Sequence, residues 1–225
     1  LLLANIATAS FSMEVCPEPY ASNTWSDCIG KLTFLQGMTF PSEAGDFYEG
    51  EWLNGKPHGE GKFTTKDSTF YYHGSFKNGE FHGYGISAGE NGTYAGKWKT
   101  DMRNGAGVLT FASGDKYIGQ FKDGNFHGTG SMYAKGGNTY EGQFVDGKAQ
   151  GEGTFTWGSE TEWAGQVHTG QFKKNLEITG YGVRKYADGS IEQGYWRDGE
   201  LTQPTGSPLK LGFNSLPRLY KTQIQ

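Results

Sequence analysis

The chain has 225 residues, with 20 basic and 24 acidic side chains and a formal net charge of −4. This balance argues against a nucleic-acid-binding protein, which would carry a clear basic excess. The 37 glycines, 7 prolines and 34 aromatic residues (15 Phe, 13 Tyr and 6 Trp) exclude a collagen-like chain and predict short strands joined by tight turns.

The first ten residues resemble the end of a secretion signal. Residues 1–9 are apolar and uncharged, and Ala7 and Ala9 followed by Ser10 form an A-x-A cleavage pattern. We therefore expect 1–9 to be a signal-peptide remnant and the protein to be exported to a periplasmic or extracellular compartment. The alternative is an apolar strand that docks on the sheet. No segment approaches the roughly 20 apolar residues that span a bilayer.

Residues 10–47 are expected to form an N-terminal cap and half-repeat. Cys16 and Cys28 are the only two cysteines, and neither belongs to a C-x-x-C pair that could begin a zinc site. In an exported protein the simplest interpretation is one disulfide between them. The alternative is two buried thiols in a cytosolic protein. Cys28-x-Gly30-x-Leu32 resembles the second half of the units that follow.

One pattern recurs from Tyr48 onward. Each unit reads Y-x-G-x-[FW], then a turn, then G-x-G, and the first tyrosines are separated by 24, 22, 23 and 23 residues. A fixed period in this range indicates a repeat architecture. The five clear units begin at Tyr48, Tyr72, Tyr94, Tyr117 and Tyr140.

Two less regular units complete the array, which we place at 48–200. The sixth contains Gly170-x-Phe172, with Trp163-x-Gly165 as a competing start, and the seventh begins with Gly194-x-Trp196.

Each unit is predicted to be a β-hairpin. Residues i, i+2 and i+4 share one face of a strand, and an Asn-Gly or Asp-Gly dipeptide, the strongest short hairpin signal, follows the first strand in most units. We expect at least twelve sequential antiparallel strands, with helix only at the chain ends. A two-residue loop at Asn54-Gly55 would pair residue 52 with 57, Gly50 with Gly59, and Tyr48 with Gly61. The tyrosine rings could then lie flat over bare glycine backbone.

The repeated Y-x-G-x-[FW]-x-x-G-x-x-x-G-x-G pattern resembles the MORN repeat. The resemblance implies an all-β fold, an elongated and twisted single antiparallel sheet of tandem hairpins. Members of the family act as scaffolds, protein-binding surfaces and membrane-proximal modules. The lead-in Cys16-Pro17 … Trp25 … Cys28 looks like that of bacterial, exported MORN proteins.

MORN arrays also precede the catalytic domain of a SET-domain methyltransferase and of plant phosphoinositide kinases. Only 25 residues follow residue 200 here, which is too few for either catalytic domain. We therefore expect no attached catalytic domain. We expect 201–225 to be a C-terminal tail or a cap on the last sheet edge, since repeat arrays need terminal caps.

The aromatic side chains of the five clear units are the candidate binding residues. If they line a concave face of the twisted sheet, they form a groove for a peptide, helix or glycan; otherwise they are the core, packed over glycine, and the exposure of the rings distinguishes the two. They are Tyr48, Trp52, Tyr72, Phe76, Tyr94, Trp98, Tyr117, Phe121, Tyr140 and Phe144.

Other candidate sites are weaker. His58, His82 and His127 share one slot of their units, but neighbouring units lie roughly 10 Å apart, too far to share a metal ion, so we expect no metal. Basic residues after the second aromatic could bind phosphate or anionic lipid, although acidic neighbours favour a solvated face of mixed charge. These basic residues are Lys77, Lys99, Lys122, Lys173 and Arg197.

The sequence shows no phosphate-binding loop and no Ser/His/Asp or Cys/His catalytic set. We therefore expect that the protein binds no cofactor and is not an enzyme. The sequence predicts a non-catalytic binding or scaffold module that presents a repeat-built β surface to a protein partner. We expect no nucleic-acid partner. The alternative is a module that binds carbohydrate or the cell envelope, through a glycan or anionic lipid.

Overall fold

The described residues of the protein form one open β-sheet of sixteen strands. The computed structural model describes residues 13–17, 25–34, 43–173 and 176–205. The expected signal remnant at 1–9 and most of the expected tail lie outside the described residues. The strands are β1 (Glu14–Val15), β2 (Cys28–Thr33), β3 (Phe47–Leu53), β4 (Lys56–Thr64), β5 (Tyr71–Lys77), β6 (Glu80–Gly89), β7 (Gly92–Lys99), β8 (Met102–Phe111), β9 (Lys116–Lys122), β10 (Asn125–Tyr133), β11 (Thr139–Val145), β12 (Lys148–Thr156), β13 (Val167–Lys173), β14 (Glu177–Lys185), β15 (Ile191–Arg197) and β16 (Glu200–Pro204).

Strand order in the sheet follows the sequence from β1 to β16. Every pair is antiparallel except the short β1, which lies parallel to β2. The prediction of at least twelve sequential strands is confirmed. In the described part of the chain, no helix is long and apolar enough to cross a membrane.

The hairpin turns have the geometry that the dipeptides predict. Both central residues have positive φ, 50° and 72° at Asn54 and Gly55, and 49° and 83° at Asp123 and Gly124. Such turns match the right-handed twist of the flanking strands. The third unit makes the same turn without glycine, through Thr100 at 51° and Asp101 at 60°.

The register inside each hairpin differs from the prediction. The two-residue loop is present, and Trp52 does pair with Pro57, but a bulge then shifts the ladder so that Gly50 pairs with Gly61 and Tyr48 with Phe63. The predicted pairs Gly50–Gly59 and Tyr48–Gly61 are therefore wrong. The cause is Gly59, whose φ of +60° leaves the strand conformation and lets β4 carry extra residues.

This bulge bends the hairpins. Tyr72 and Phe76 are four residues apart on β5, which is about 13 Å in an extended strand. Phe81, the register partner of Phe76, nevertheless stacks on Tyr72 with ring centroids 4.0 Å apart. The tip of the hairpin therefore folds back over its base, and one face of the sheet becomes an enclosed interior.

Neighbouring units are tied together at their turns. The amide of Gly79 donates to the carbonyl of Pro57 at 2.8 Å, and the amide of Gly147 donates to the carbonyl of Phe126 at 2.9 Å. At the opposite ends of the strands, the carboxylate of Asp115 accepts from the amide of Lys135 at 2.8 Å. Each unit thus supplies hydrogen-bond acceptors to the next, as expected of an array stabilised by nearest-neighbour contacts.

The irregular units lie where the pattern places them. Cys28 pairs with Trp52, and Gly30 with Gly50, which is the register that Gly59 and Gly61 adopt in β4 towards β5. Residues 28–33 are therefore the second half of a unit. The sixth hairpin begins at β13, not at Trp163, whose side chain lies outside the strands and is half exposed.

Candidate binding surface

The inner face of the array is a continuous aromatic layer. The ten predicted side chains, Tyr48, Trp52, Tyr72, Phe76, Tyr94, Trp98, Tyr117, Phe121, Tyr140 and Phe144, are all between 0% and 9% exposed. Adjacent rings meet edge to face within and between units; Tyr48, for example, lies 5.2 Å from Trp52 and 4.9 Å from Phe76. This geometry is favourable for aromatic pairs.

Each inner tyrosine covers glycine and bonds its own strand. A Cβ placed on Gly153 would lie 2.6 Å from Cζ of Tyr140, so only glycine leaves room for the ring. The Tyr140 hydroxyl donates to the carbonyl of Gln143 at 3.1 Å, and Tyr94 donates to Lys97 at 2.9 Å. Burial raises the pKa of Tyr140 to about 12. These hydroxyls are therefore neutral, structural hydrogen-bond donors.

The tryptophans use their polar atom in the same way. The indole N–H of Trp52 donates to the carbonyl of Gly30 at 3.2 Å, and that of Trp98 to the carbonyl of Gly85 at 3.2 Å. Buried rings with satisfied polar atoms leave no open face for a ligand. The low exposure of the ten side chains is therefore that of core residues.

The histidines of the shared slot make separate contacts. His58 accepts from the backbone N–H of Asn78 through Nδ1 at 3.4 Å, and Nδ1 of His127 lies 3.9 Å from a carboxylate oxygen of Asp146. Within the described ranges, no three His, Cys, Asp or Glu side chains converge as metal ligands.

The basic side chains lie at the hairpin tips and are exposed. Lys77 pairs in register with Glu80, and Arg197 with Glu200. Lys173 pairs with Glu177. Three of the five predicted basic positions therefore have an acidic register partner, as expected of a surface of mixed charge. The five positions are Lys77, Lys99, Lys122, Lys173 and Arg197.

The N-terminal end of the core is closed by a disulfide and by a tryptophan that lies outside the repeat pattern. Cys16 and Cys28 form a disulfide with Cα atoms 5.0 Å apart, as predicted. Trp25 is fully buried, lies edge to face 5.0 Å from Trp52, and donates from its indole N–H to the carbonyl of Pro17 at 3.0 Å. A Cβ on Gly30 would lie 2.7 Å from the Trp25 ring. Trp25 therefore covers Gly30 as a tyrosine covers glycine in later units. Because Trp25 lies outside the repeat pattern, the sequence did not predict this role.

The sixth unit departs from the pattern inside the core. His168 stands where the other units have tyrosine and is fully buried. Its register partner, Arg184, stands where Phe63 stands in the first unit. The Arg184 guanidinium lies 4.3 Å from the Trp196 ring centroid. Among described residues, both His168 ring nitrogens lack a hydrogen-bond partner. Burial, followed by the positive charge of Arg184, lowers the His168 pKa to about 4.

The outer face carries an apolar patch at the centre of the array. We call Tyr84, Ile86, Ala95, Val108 and Ile118 the outer patch. Tyr84 is 62% exposed and Ile86 49% exposed, and Lys97 Nζ lies 5.2 Å from the Tyr84 ring centroid. The last four residues are register partners on the consecutive strands β6 to β9. Ala95 is also exposed, whereas Val108 and Ile118 are half-buried. A cluster of exposed apolar side chains marks an interaction site.

The family model described as MORN repeat matches six segments that together cover more than half of the chain. The segments are 48–70, 72–93, 94–116, 117–139, 140–161 and 168–191. The chain belongs to the MORN-repeat family. The sixth match begins at His168, in agreement with the structural assignment of that unit.

MORN repeats are typically modules that bind proteins or membranes, and they are a non-catalytic type of repeat. A comparison with curated proteins found no match. One similar solved structure is the TCP domain of SAS-4 (dCPAP) of Drosophila melanogaster, in complex with a proline-rich motif of Ana2 (dSTIL). It is 12% identical, covers 80% of this chain and 96% of that chain, and has a TM-score of 0.33.

Proposed function

We propose that this MORN array is a non-catalytic binding module that presents its outer face to a protein partner. The observation that carries the proposal is the outer patch, centred on Tyr84 and Ile86 and flanked by polar and charged side chains along the same rows. An aromatic and aliphatic centre with a polar rim is the usual composition of a protein interface.

The outer face is preferred to the inner face because of what each leaves free. Inner rings such as Tyr72 and Trp98 are buried and bonded to backbone, so a ligand could reach them only if the bent hairpins opened. The Tyr84 ring, by contrast, adds contact area without any rearrangement. It lies on a strand held on both sides by β5 and β7, which limits the entropy lost on binding.

A photoreactive benzophenone side chain in place of Tyr84 tests this proposal. The matched control places the same group at Tyr195, which is 51% exposed on β15. Irradiation of native host cells that produce each variant should cross-link the variant with benzophenone at position 84 to one discrete protein. The variant with benzophenone at position 195 should give a much weaker adduct. Equal adducts at both positions, or none at 84, would contradict a protein-binding role for the outer patch.

The alternative ligand is a glycan of the cell envelope. One observation favours it, since Tyr181 and Tyr195 lie 5.6 Å apart on neighbouring strands and Tyr195 is exposed. Exposed rings can stack on sugar faces. Co-sedimentation with purified cell-wall glycan should then be lost in Tyr195→Ala and kept in Tyr84→Ala. Retention by Tyr195→Ala would count against this alternative.

We further propose that the protein is exported. The Cys16–Cys28 disulfide supports this localisation, because disulfides persist in oxidising compartments. The apolar segment with its A-x-A pattern before Ser10 adds to it. Alkylation of intact cells before reduction should leave both cysteines unmodified in protein from the exported fraction. Two alkylated cysteines in a cytosolic protein would contradict the proposal.

A further inference from the structure

We propose that the partner on the outer patch is a second copy of this chain, docked face to face about a two-fold axis. This inference rests on the proposed function, because it identifies the protein that the outer patch binds. The observation behind it is the order of side chains along one row of the outer face, which is complementary to its own reverse.

The row crosses eight successive strands from β4 to β11. Each residue is the register partner of the next, and the apolar members occupy the middle four strands. In order, the row is Lys62, His73, Ile86, Ala95, Val108, Ile118, Ser131 and Glu141.

A two-fold axis parallel to the strands, between β7 and β8, reverses this row. It places Ile86 against Ile118 of the second copy, and Ala95 against Val108 of the second copy. Because the operation is its own inverse, each apolar contact occurs twice, as an isologous interface requires. The four apolar strands of one copy therefore cover the four apolar strands of the other.

The same operation matches the charged ends of the row. Lys62 is placed against Glu141 of the second copy, and His73 against the hydroxyl of Ser131. Lys62 is exposed on β4 and Glu141 is exposed on β11, so both remain free to pair at the rim. An unreversed stacking would instead place lysine against lysine and glutamate against glutamate, which repel. The charges thus select the two-fold arrangement.

The adjoining row is compatible with this arrangement. Tyr71 pairs with Ala88 on β6, and Lys116 pairs with Tyr133 on β10. The two-fold axis brings Tyr71 against Tyr133 of the second copy, and both rings are exposed, at 45% and 37%. Aromatic pairs of this kind are favourable contacts beyond their buried area.

The area is sufficient for a specific but modest dimer. Six strands about 4.8 Å apart and three rows about 7 Å apart cover roughly 600 Å² of each copy. Two copies then bury about 1,200 Å², the lower end of the range for specific complexes. Twist confines the apolar contact to the central strands, which carry the outer patch, and leaves the long side chains of Lys62 and Glu141 to pair at the rim. We expect a dissociation constant in the micromolar range.

Sedimentation equilibrium of the full chain, from about 1 to 500 µM, tests the proposal. The wild type should be a reversible dimer, and Ile118→Lys should weaken association at least tenfold. The matched control is Val183→Lys, on the outer face of β14 outside the contact, which should dimerise normally. A wild type that stays monomeric throughout, or a dimer that Ile118→Lys leaves unchanged, would overturn the proposal.

A charge exchange separates this geometry from other modes of association and does not depend on the folding of Ile118→Lys. Lys62→Glu and Glu141→Lys should each weaken self-association, whereas an equimolar mixture of the two variants should form a heterodimer at least as stable as wild type. Circular dichroism confirms that each variant is folded. A mixture that associates no better than the single variants would overturn the two-fold contact.

The two proposals can fail separately. If the wild type is monomeric but the benzophenone at position 84 captures a different protein, the binding function stands and the homodimer is rejected. If the chain dimerises and Ile118→Lys has no effect while no adduct forms at position 84, both proposals for the outer patch are rejected.

Discussion

The Tyr117 ring lies against the backbone of Gly130, so that a Cβ on Gly130 would be 2.6 Å from Cζ of the ring. Gly130 pairs with Gly119 across the hairpin, and the ring covers both. A sheet with a single layer has no second layer to bury its aromatic side chains. In this protein the bent hairpin and the bare glycine backbone together provide that enclosure.

Gly130→Ala should therefore lower the free energy of unfolding by about 1–3 kcal/mol, the usual cost of overpacking a core. The ring cannot retreat because it is fully buried. The control is Gly136→Ala, whose added Cβ would meet only the carboxylate end of Glu160, at 3.3 Å. Urea unfolding of the two variants gives the comparison, and equal effects would argue against ring packing as the cause.

The inner tyrosine hydroxyl makes its own contribution. Tyr140→Phe removes the hydrogen bond to the Gln143 carbonyl and should cost about 1 kcal/mol, the net value of a typical hydrogen bond. Tyr133→Phe is the control, because that hydroxyl lies on the exposed outer face. Thermal unfolding should show a lower Tm for Tyr140→Phe alone. A similar loss in both variants would contradict the assignment.

His168 should make stability depend on pH. Its pKa is about 4 in the folded protein and about 6.5 when unfolded, so the unfolded state binds more protons between these values. The stabilising effect is complete above pH 6.5 and is lost as the pH falls towards 4, by up to about 3 kcal/mol. His168→Tyr should remove this dependence and raise stability at pH 7, because the tyrosine can donate to the Gln171 carbonyl. Urea titrations at pH 4.5 and 7 measure both effects, and an unchanged pH slope in the variant would contradict the role of His168.

The third hairpin turn should be improvable. Thr100 holds a φ of 51° where the first two units have asparagine, and positive φ is unfavourable for a β-branched residue. Thr100→Asn should raise the free energy of unfolding by about 1 kcal/mol. The reverse change, Asn78→Thr in the second unit, should lower it by a similar amount. If both variants changed the free energy of unfolding in the same direction, the residue at this turn position would not be the cause.

The hairpins and their turns could be predicted because both depend on local chemistry. Asn54-Gly55 requires positive φ at both positions, and alternation places Tyr48 and Trp52 on one face, whatever the tertiary structure. The pairing register of the strands could not be predicted, because the sequence does not distinguish the roles of the two glycines in G-x-G. Gly59 supplies the positive φ of the bulge, whereas Gly61 lies under the tyrosine ring.

The core assignment and the outer patch required the structure. The bend that encloses Tyr72 beneath Phe81 follows from the bulge, so aromatic periodicity alone could not distinguish a groove from a core. Tyr84 and Ile86 belong to the variable positions of the repeat. Only the register across β5 to β9 shows that such positions adjoin one another on the outer face.

We propose that inner aromatic residues hold the fold together while outer aromatic residues remain available to a partner. Equilibrium urea unfolding of Trp98→Ala and Tyr84→Ala compares the two faces, since the two residues lie on adjacent strands and opposite faces. We predict a loss of about 3–5 kcal/mol for Trp98→Ala, as for a truncated core aromatic, and a change within about 0.5 kcal/mol for Tyr84→Ala. Near-normal stability in Trp98→Ala together with a large loss in Tyr84→Ala would contradict the claim.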